Sequence, residues 1–122
     1  MKYDEFLKAV EARTGIADRE EAARTTFTVL QALADRLTGG EADDLLAQLP
    51  EPLKSTITVT AEADPMDPDE FVDRVARDLQ VPHEEARSRV RAVFGALREA
   101  VTQGEFEDVL SQLDREYAQL LA

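Results

Sequence analysis

The sequence has no cysteine, no tryptophan and a single histidine. Without thiols there is no disulfide framework, no thiolate metal site and no cysteine nucleophile. Long apolar runs are missing as well: no 18-residue stretch suits a membrane span, and Met1-Lys2-Tyr3-Asp4-Glu5 leads into a charged segment without the apolar centre of a signal peptide. A cytoplasmic location is the expectation. Glycine and proline are scarce at five each, which disfavours turn-rich sandwiches and barrels. Positive charge is also in short supply. Twenty-six acids face fourteen Lys and Arg, for a net charge of −12, and such a surface repels phosphate backbones and anionic lipid. Neither nucleic acid nor membrane is the expected partner.

What remains is a helix vocabulary. The 122 residues are 43% apolar and 33% charged, enough for one folded domain over residues 1–122 and rich in Ala, Leu, Glu and Arg. The chain also repeats itself. Asp4-Glu5-Phe6 returns as Asp69-Glu70-Phe71, and Glu20-Glu21-Ala22 as Glu84-Glu85-Ala86. Thr38, Gly40-Glu41, Asp44 and Gln48-Leu49 return as Thr102, Gly104-Glu105, Asp108 and Gln112-Leu113. Over positions 4–16 and 20–49, 17 of 43 residues are identical to their partners, and the one register change falls in a turn. The expected fold is therefore all-α: two tandem pseudo-symmetric helical repeats of three to four helices each, packed into one compact bundle. Repeat one covers about 1–56, a linker about 57–66, and repeat two about 67–122.

Apolar spacing of three and four supplies the elements. Tyr3, Phe6, Leu7 and Val10 form one helix face, with Gly15 past its end. Asp18 and Glu21 have capping-box spacing ahead of Ala23, Phe27, Leu30, Ala34 and Leu37. Gly39-Gly40 is expected to end that long helix, and a third helix to run from near Glu41 to Pro50, with one more turn in 51–56. In the second copy Asp67-Pro68-Asp69-Glu70 combines a cap, a proline at the first helical position and a glutamate at the third. A long helix then carries Ala86, Val90, Val93, Phe94, Leu97 and Val101, with Gly104 expected to terminate it, and Tyr117, Leu120 and Leu121 close the chain. Ile57-Thr58-Val59-Thr60 is the only strand-like stretch. A lone strand leaves its ladder groups unpaired, so an extended linker anchored by Ile57 and Val59 is expected, with an edge that pairs with another chain as its alternative.

Reactive constellations are absent. His83 has no nucleophile, orienting acid or fellow ligand at a readable spacing, and is expected to be exposed and structural. The clusters Glu41, Asp43, Asp44 and Glu105, Glu107, Asp108 open helices, where acids complement the dipole and keep an outer face wet. A divalent-ion site is their alternative, but neither EF-hand nor Glu-x-x-His spacing occurs. No phosphate loop or nucleophile elbow is present. No catalytic, cofactor-binding or metal residue is assigned, and no cofactor is expected. Arg87, Arg91 and Arg98, with Arg89 nearby, could face DNA, although Glu84, Glu85 and Glu99 stand ready to pair with them. Gly95 interrupts a helix and marks a close approach from another. Gln48 and Gln112 are expected to satisfy backbone groups where the copies meet.

Tyr-Asp-Glu-Phe-Leu at 3–7, Glu-Glu-Ala at 20–22, Leu-x-x-x-Leu-Thr-Gly-Gly-Glu at 33–41 and Gln-Leu-Pro at 48–50, in that order, resemble the family catalogued as domain of unknown function 2267. The resemblance implies a small, all-helical, mostly prokaryotic cytoplasmic protein and supplies no activity or site residue. The second copy departs from it with Asp114 in place of Pro50 and Pro82 in place of a capping residue. The functional expectation is a non-enzymatic protein–protein interaction or adaptor module, docking a protein partner through a groove or apolar patch between the copies. Its alternatives are a DNA-associated regulator using Arg87, Arg91 and Arg98, and a small-molecule binder or enzyme with a pocket between the copies.

Overall fold

The apolar periodicity resolves into helices along almost the whole chain. A computed structural model describes residues 1–121, and among them lie α1 (Tyr3–Thr14), α2 (Arg19–Arg36), α3 (Gly39–Ala47), α4 (Leu53–Thr56), α5 (Pro68–Leu79), α6 (His83–Ala100), α7 (Gln103–Gln112) and α8 (Tyr117–Leu121). The described residues contain no strand, so the architecture is all-α. Their helices are also too short or too polar to cross a membrane. Ala122, the last residue of the expected second copy, lies outside the described residues. Helices of 12, 18, 9 and 4 residues are followed by helices of 12, 18, 10 and 5.

Several ends follow their local signals. Gly15, at φ 78°, closes α1 in the left-handed region where glycine has no Cβ to clash. Asp67 and Glu70 form a reciprocal capping box around Pro68 at the start of α5. Others differ. Asp18 caps α2 by accepting from the N–H of Glu20, not Glu21, and no reciprocal capping box closes, the Glu21 carboxylate being taken by Arg89 at 2.6 Å. Gly39-Gly40 does not end α2, and Gly104 does not end α6. The long helices stop at Arg36 and Ala100, where buried Leu37 and Val101 turn to extended backbone and plunge into the core. Thr38 and Thr102 then cap the next helices, accepting from the N–H groups of Glu41 and Glu105. The glycines thus belong to the first turns of α3 and α7, and α3 ends at Ala47, ahead of Pro50.

The two halves interlock. α1 packs on α2 and on α6, while α5 packs on α6 and on α2, so each half's opening helix covers the other half's long helix. Phe6, Val10, Leu30 and Leu33 from one half and Phe71, Val75, Val93 and Leu97 from the other are almost fully buried in a single cluster. Each contributes about 1.5–3 kcal/mol through burial. Ion pairs cross between the halves as well: Arg74 on α5 reaches Asp35 on α2 at 2.7 Å, and Arg13 on α1 reaches Glu99 on α6 at 2.9 Å.

Residues 57–66 lie outside any helix and pass along α2, bending at Ala61 and Glu62. Ile57 is buried and Val59 half-buried. The side-chain amide of Gln31 does the work of a neighbouring strand: its Nε2 donates to the Thr58 carbonyl at 3.0 Å, and its Oε1 accepts from the Thr58 N–H at 3.1 Å. Further on, the Asp64 N–H donates to the Asp35 carbonyl at 2.7 Å. A ladder between Thr58 and a second chain would have to displace Gln31.

Candidate functional site

Two places concentrate polar groups in unusual surroundings. The first is a half-open groove of about 810 Å³ between α6, α7 and α8. Phe94, Phe106, Leu110, Leu113 and Leu121 give it apolar walls, and the exposed residues Arg13, Arg91, Arg98 and Arg115 line it too. Four arginines against two acids, Glu99 and Asp114, make it a positive island on a chain of net charge −12. Only Arg13 comes from the first half, so the groove lies within the second half and not between the copies, where a pocket was expected. Met1 is the only large apolar side chain among the described residues that is exposed rather than half-buried or buried.

The groove walls are held by hydrogen bonds from buried groups. The Tyr117 hydroxyl, at the start of α8, donates to the Met66 carbonyl at 2.7 Å, and Arg36 Nε donates to the same oxygen at 3.1 Å. Burial pushes the Tyr117 hydroxyl up to about 12, so it remains a donor throughout the physiological range. Farther along α8, Arg91 Nε donates to the Leu120 carbonyl at 2.7 Å. Gly95 marks the close approach that its place in the sequence suggests. A Cβ there would stand 2.7 Å from the Arg13 guanidinium, which lies across α6 and pairs with Glu99.

The arginines of α6 do not present one free face. Arg89 is buried and held by Glu85, Glu21 and Thr25 at 3.0, 2.6 and 2.9 Å, Arg91 is tied to α8, and Arg98 stacks on the Phe106 ring at 5.0 Å. The hydrogen bond from Arg89 holds the Glu21 carboxyl below the usual carboxylate range. Glu85 is the expected helical partner, whereas Glu99 pairs across to α1. His83 is half-buried and not alone: its Nδ1 lies 2.8 Å from Asp73 Oδ1 on α5.

The second place lies between the N-termini of α3 and α7. The Thr-x-x-Glu spacing at Thr38–Glu41 and Thr102–Glu105 invites capping boxes in which each glutamate would reach back to its threonine N–H. Glutamines do this work instead. Gln112 Oε1 accepts from the Thr38 N–H at 3.1 Å, and Gln48 Oε1 accepts from the Thr102 N–H at 2.9 Å, which is the backbone role expected of both. The glutamates are thereby released and turn inward. Asp43, Asp44, Glu107 and Asp108 keep the wet outer face, but Glu41 is half-buried and Glu105 is 8% exposed, contrary to the expectation of a fully solvated cluster. Glu41 Oε1 and Glu105 Oε2 are buried without a hydrogen-bond partner. Carboxylate oxygens of Glu41, Glu105 and Asp108 lie within 4.8 Å of one another. Burial, then the neighbouring Glu41 and the more distant Asp108 and Asp44, push the Glu105 carboxyl up to about 7.

A family model described as an uncharacterized conserved protein, DUF2267, matches residues 3–120. The chain belongs to this family. A search of curated proteins finds no match to it.

Proposed function

We propose that this DUF2267 protein is a non-enzymatic interaction module, built by duplication of one helical unit, whose α6–α7–α8 groove receives an amphipathic, acid-bearing segment of a partner protein. The observation that carries the reading is the groove itself: apolar walls rimmed by arginines on an otherwise acidic surface, which complement the apolar face and acidic edge of a helix. The duplication draws support from positions that correspond in the two copies and meet each other. Thr25 touches Arg89, Glu41 faces Glu105, and the Gln48–Thr102 hydrogen bond is returned by Gln112 and Thr38, as a twofold relation between copies would require. Against a DNA-binding role stand the net charge and the prior engagement of Arg89 and Arg91.

A photoreactive residue at Leu110, with crosslinked peptides identified by mass spectrometry in the native cell, tests the proposal. A recurring acidic segment that is lost when Arg98→Glu reverses the rim charge is the expected result. Crosslinks that persist in that variant, or turnover of a substrate by the purified protein, would contradict it. A second reading, a small apolar acid in the same groove, is favoured by the volume, since about 300–1,000 Å³ is typical of small-molecule sites.

A further inference from the structure

We propose that Glu41, Glu105 and Asp108 bind a hard divalent cation of the Ca²⁺ class, which joins the N-terminal turn of α3 to that of α7. Three observations converge on it. The carboxylates serve no capping purpose, because Gln48 and Gln112 occupy the threonine N–H groups that the glutamates would otherwise take. Glu105 is more than nine-tenths buried, and its Oε2 is aimed into the cluster without a donor to meet it, as is Glu41 Oε1 from the opposite helix. The third carboxylate, Asp108, sits one turn beyond Glu105 on the same helix and is exposed, leaving that side open for water to complete a coordination shell. Buried carboxylate oxygens without a donor are costly, and three carboxylates with oxygens within 4.8 Å of one another add repulsion.

The donor set selects the ion. Carboxylate oxygens alone suit Ca²⁺, Mg²⁺ or Mn²⁺ and not the softer metals that prefer nitrogen or sulfur. Oxygens within 4.8 Å of one another fit around a centre at the about 2.3–2.6 Å typical of Ca²⁺. One turn of α3 and one of α7 would then share a ligand, with a readout in stability and not in catalysis.

Calcium chloride titrated into chelator-treated full-length protein at neutral pH, followed by calorimetry and thermal melting with Mg²⁺ and Mn²⁺ in parallel, provides the test. The wild type is expected to take up about one Ca²⁺ per chain with a rise in Tm. Glu105→Gln and Asp108→Asn are expected to weaken that uptake by about tenfold or more. Glu105→Gln should melt no lower than the wild type in chelator, since the repulsion is gone. Asp108→Asn alters only an exposed side chain and keeps the test valid should the buried variant misfold. Indifference of the wild type to all three ions at millimolar concentration would overturn the proposal and leave a shared proton as the neutraliser of the pair. Binding unchanged in both variants would also overturn it, by locating the cation elsewhere on the acidic surface.

Discussion

Gly39 and Gly40 stand side by side in the first turn of α3, yet their surroundings oppose each other. A Cβ on Gly39 would meet the Thr60 carbonyl oxygen at 2.9 Å and Ala61 at 3.2 Å, both backbone, whereas a Cβ on Gly40 meets nothing within 4 Å. Helix propensity alone favours alanine at both. Gly39→Ala is therefore expected to lower stability by about 1–3 kcal/mol by displacing the linker, and Gly40→Ala to raise it by about 0.4–1 kcal/mol, as chemical denaturation can establish. At Glu105 the prediction concerns pH. Its carboxyl is raised from 4.5 to about 7, so the folded state holds a proton that the unfolded state releases. The associated stability is present below about pH 4.5 and is lost as pH climbs to about 7. In chelator, Glu105→Gln should thus melt higher than wild type at pH 8, by up to about 3 kcal/mol, and close to it at pH 4. Equal melting of the two at pH 8 would count against the buried repulsion. The acids that open α3 and α7 are plain in the sequence, but their inward turn is not, because it depends on glutamines that arrive from the opposite helix. A hint exists nonetheless: Glu41 and Glu105 hold matching places in the sequence repeat, and under the proposed duplication such residues meet where they lie near the axis between the copies.

The helices were legible where a local signal sufficed. Apolar spacing placed α1, α2, α5 and α6, and Gly15, Asp67 and Pro68 marked their ends through chemistry that acts within a few residues. The boundaries after α2 and α6 were not legible in the same way. There, termination is decided by Leu37 and Val101 reaching the core, a tertiary event, while the glycines that look like stops serve the following helix. The links between α3 and α7 are a consequence at this scale. Removing Gln112 leaves the Thr38 N–H without its acceptor, and removing Gln48 does the same for Thr102. Gln48→Ala and Gln112→Ala should each cost about 1 kcal/mol, with faster amide exchange appearing at the first turn of the opposite helix, α7 for Gln48 and α3 for Gln112. Exchange that speeds up only in the mutated helix would show that the glutamines do not cap across.

At the scale of the molecule, the halves hold each other. Arg89 on α6 is buried against Glu21 and Thr25 on α2, and α1 and α5 each pack against both long helices, so one buried cluster spans the halves. The repeat made this juxtaposition foreseeable in outline. The groove was not foreseeable, since its walls depend on how α8 folds back against α6, and its arginines come from sequence positions far apart. Arg89→Ala removes a buried guanidinium from the seam and its hydrogen bonds to half-buried Glu21 and buried Thr25, and should cost about 1–3 kcal/mol. Native-state hydrogen exchange on the wild type and on this variant tests the interlocking most directly. The slowest amides of α2 and α6 are expected to open in one event with one free energy, and Arg89→Ala to lower both by the same amount; α2 keeping its protection while α6 loses it would show that the halves stand apart.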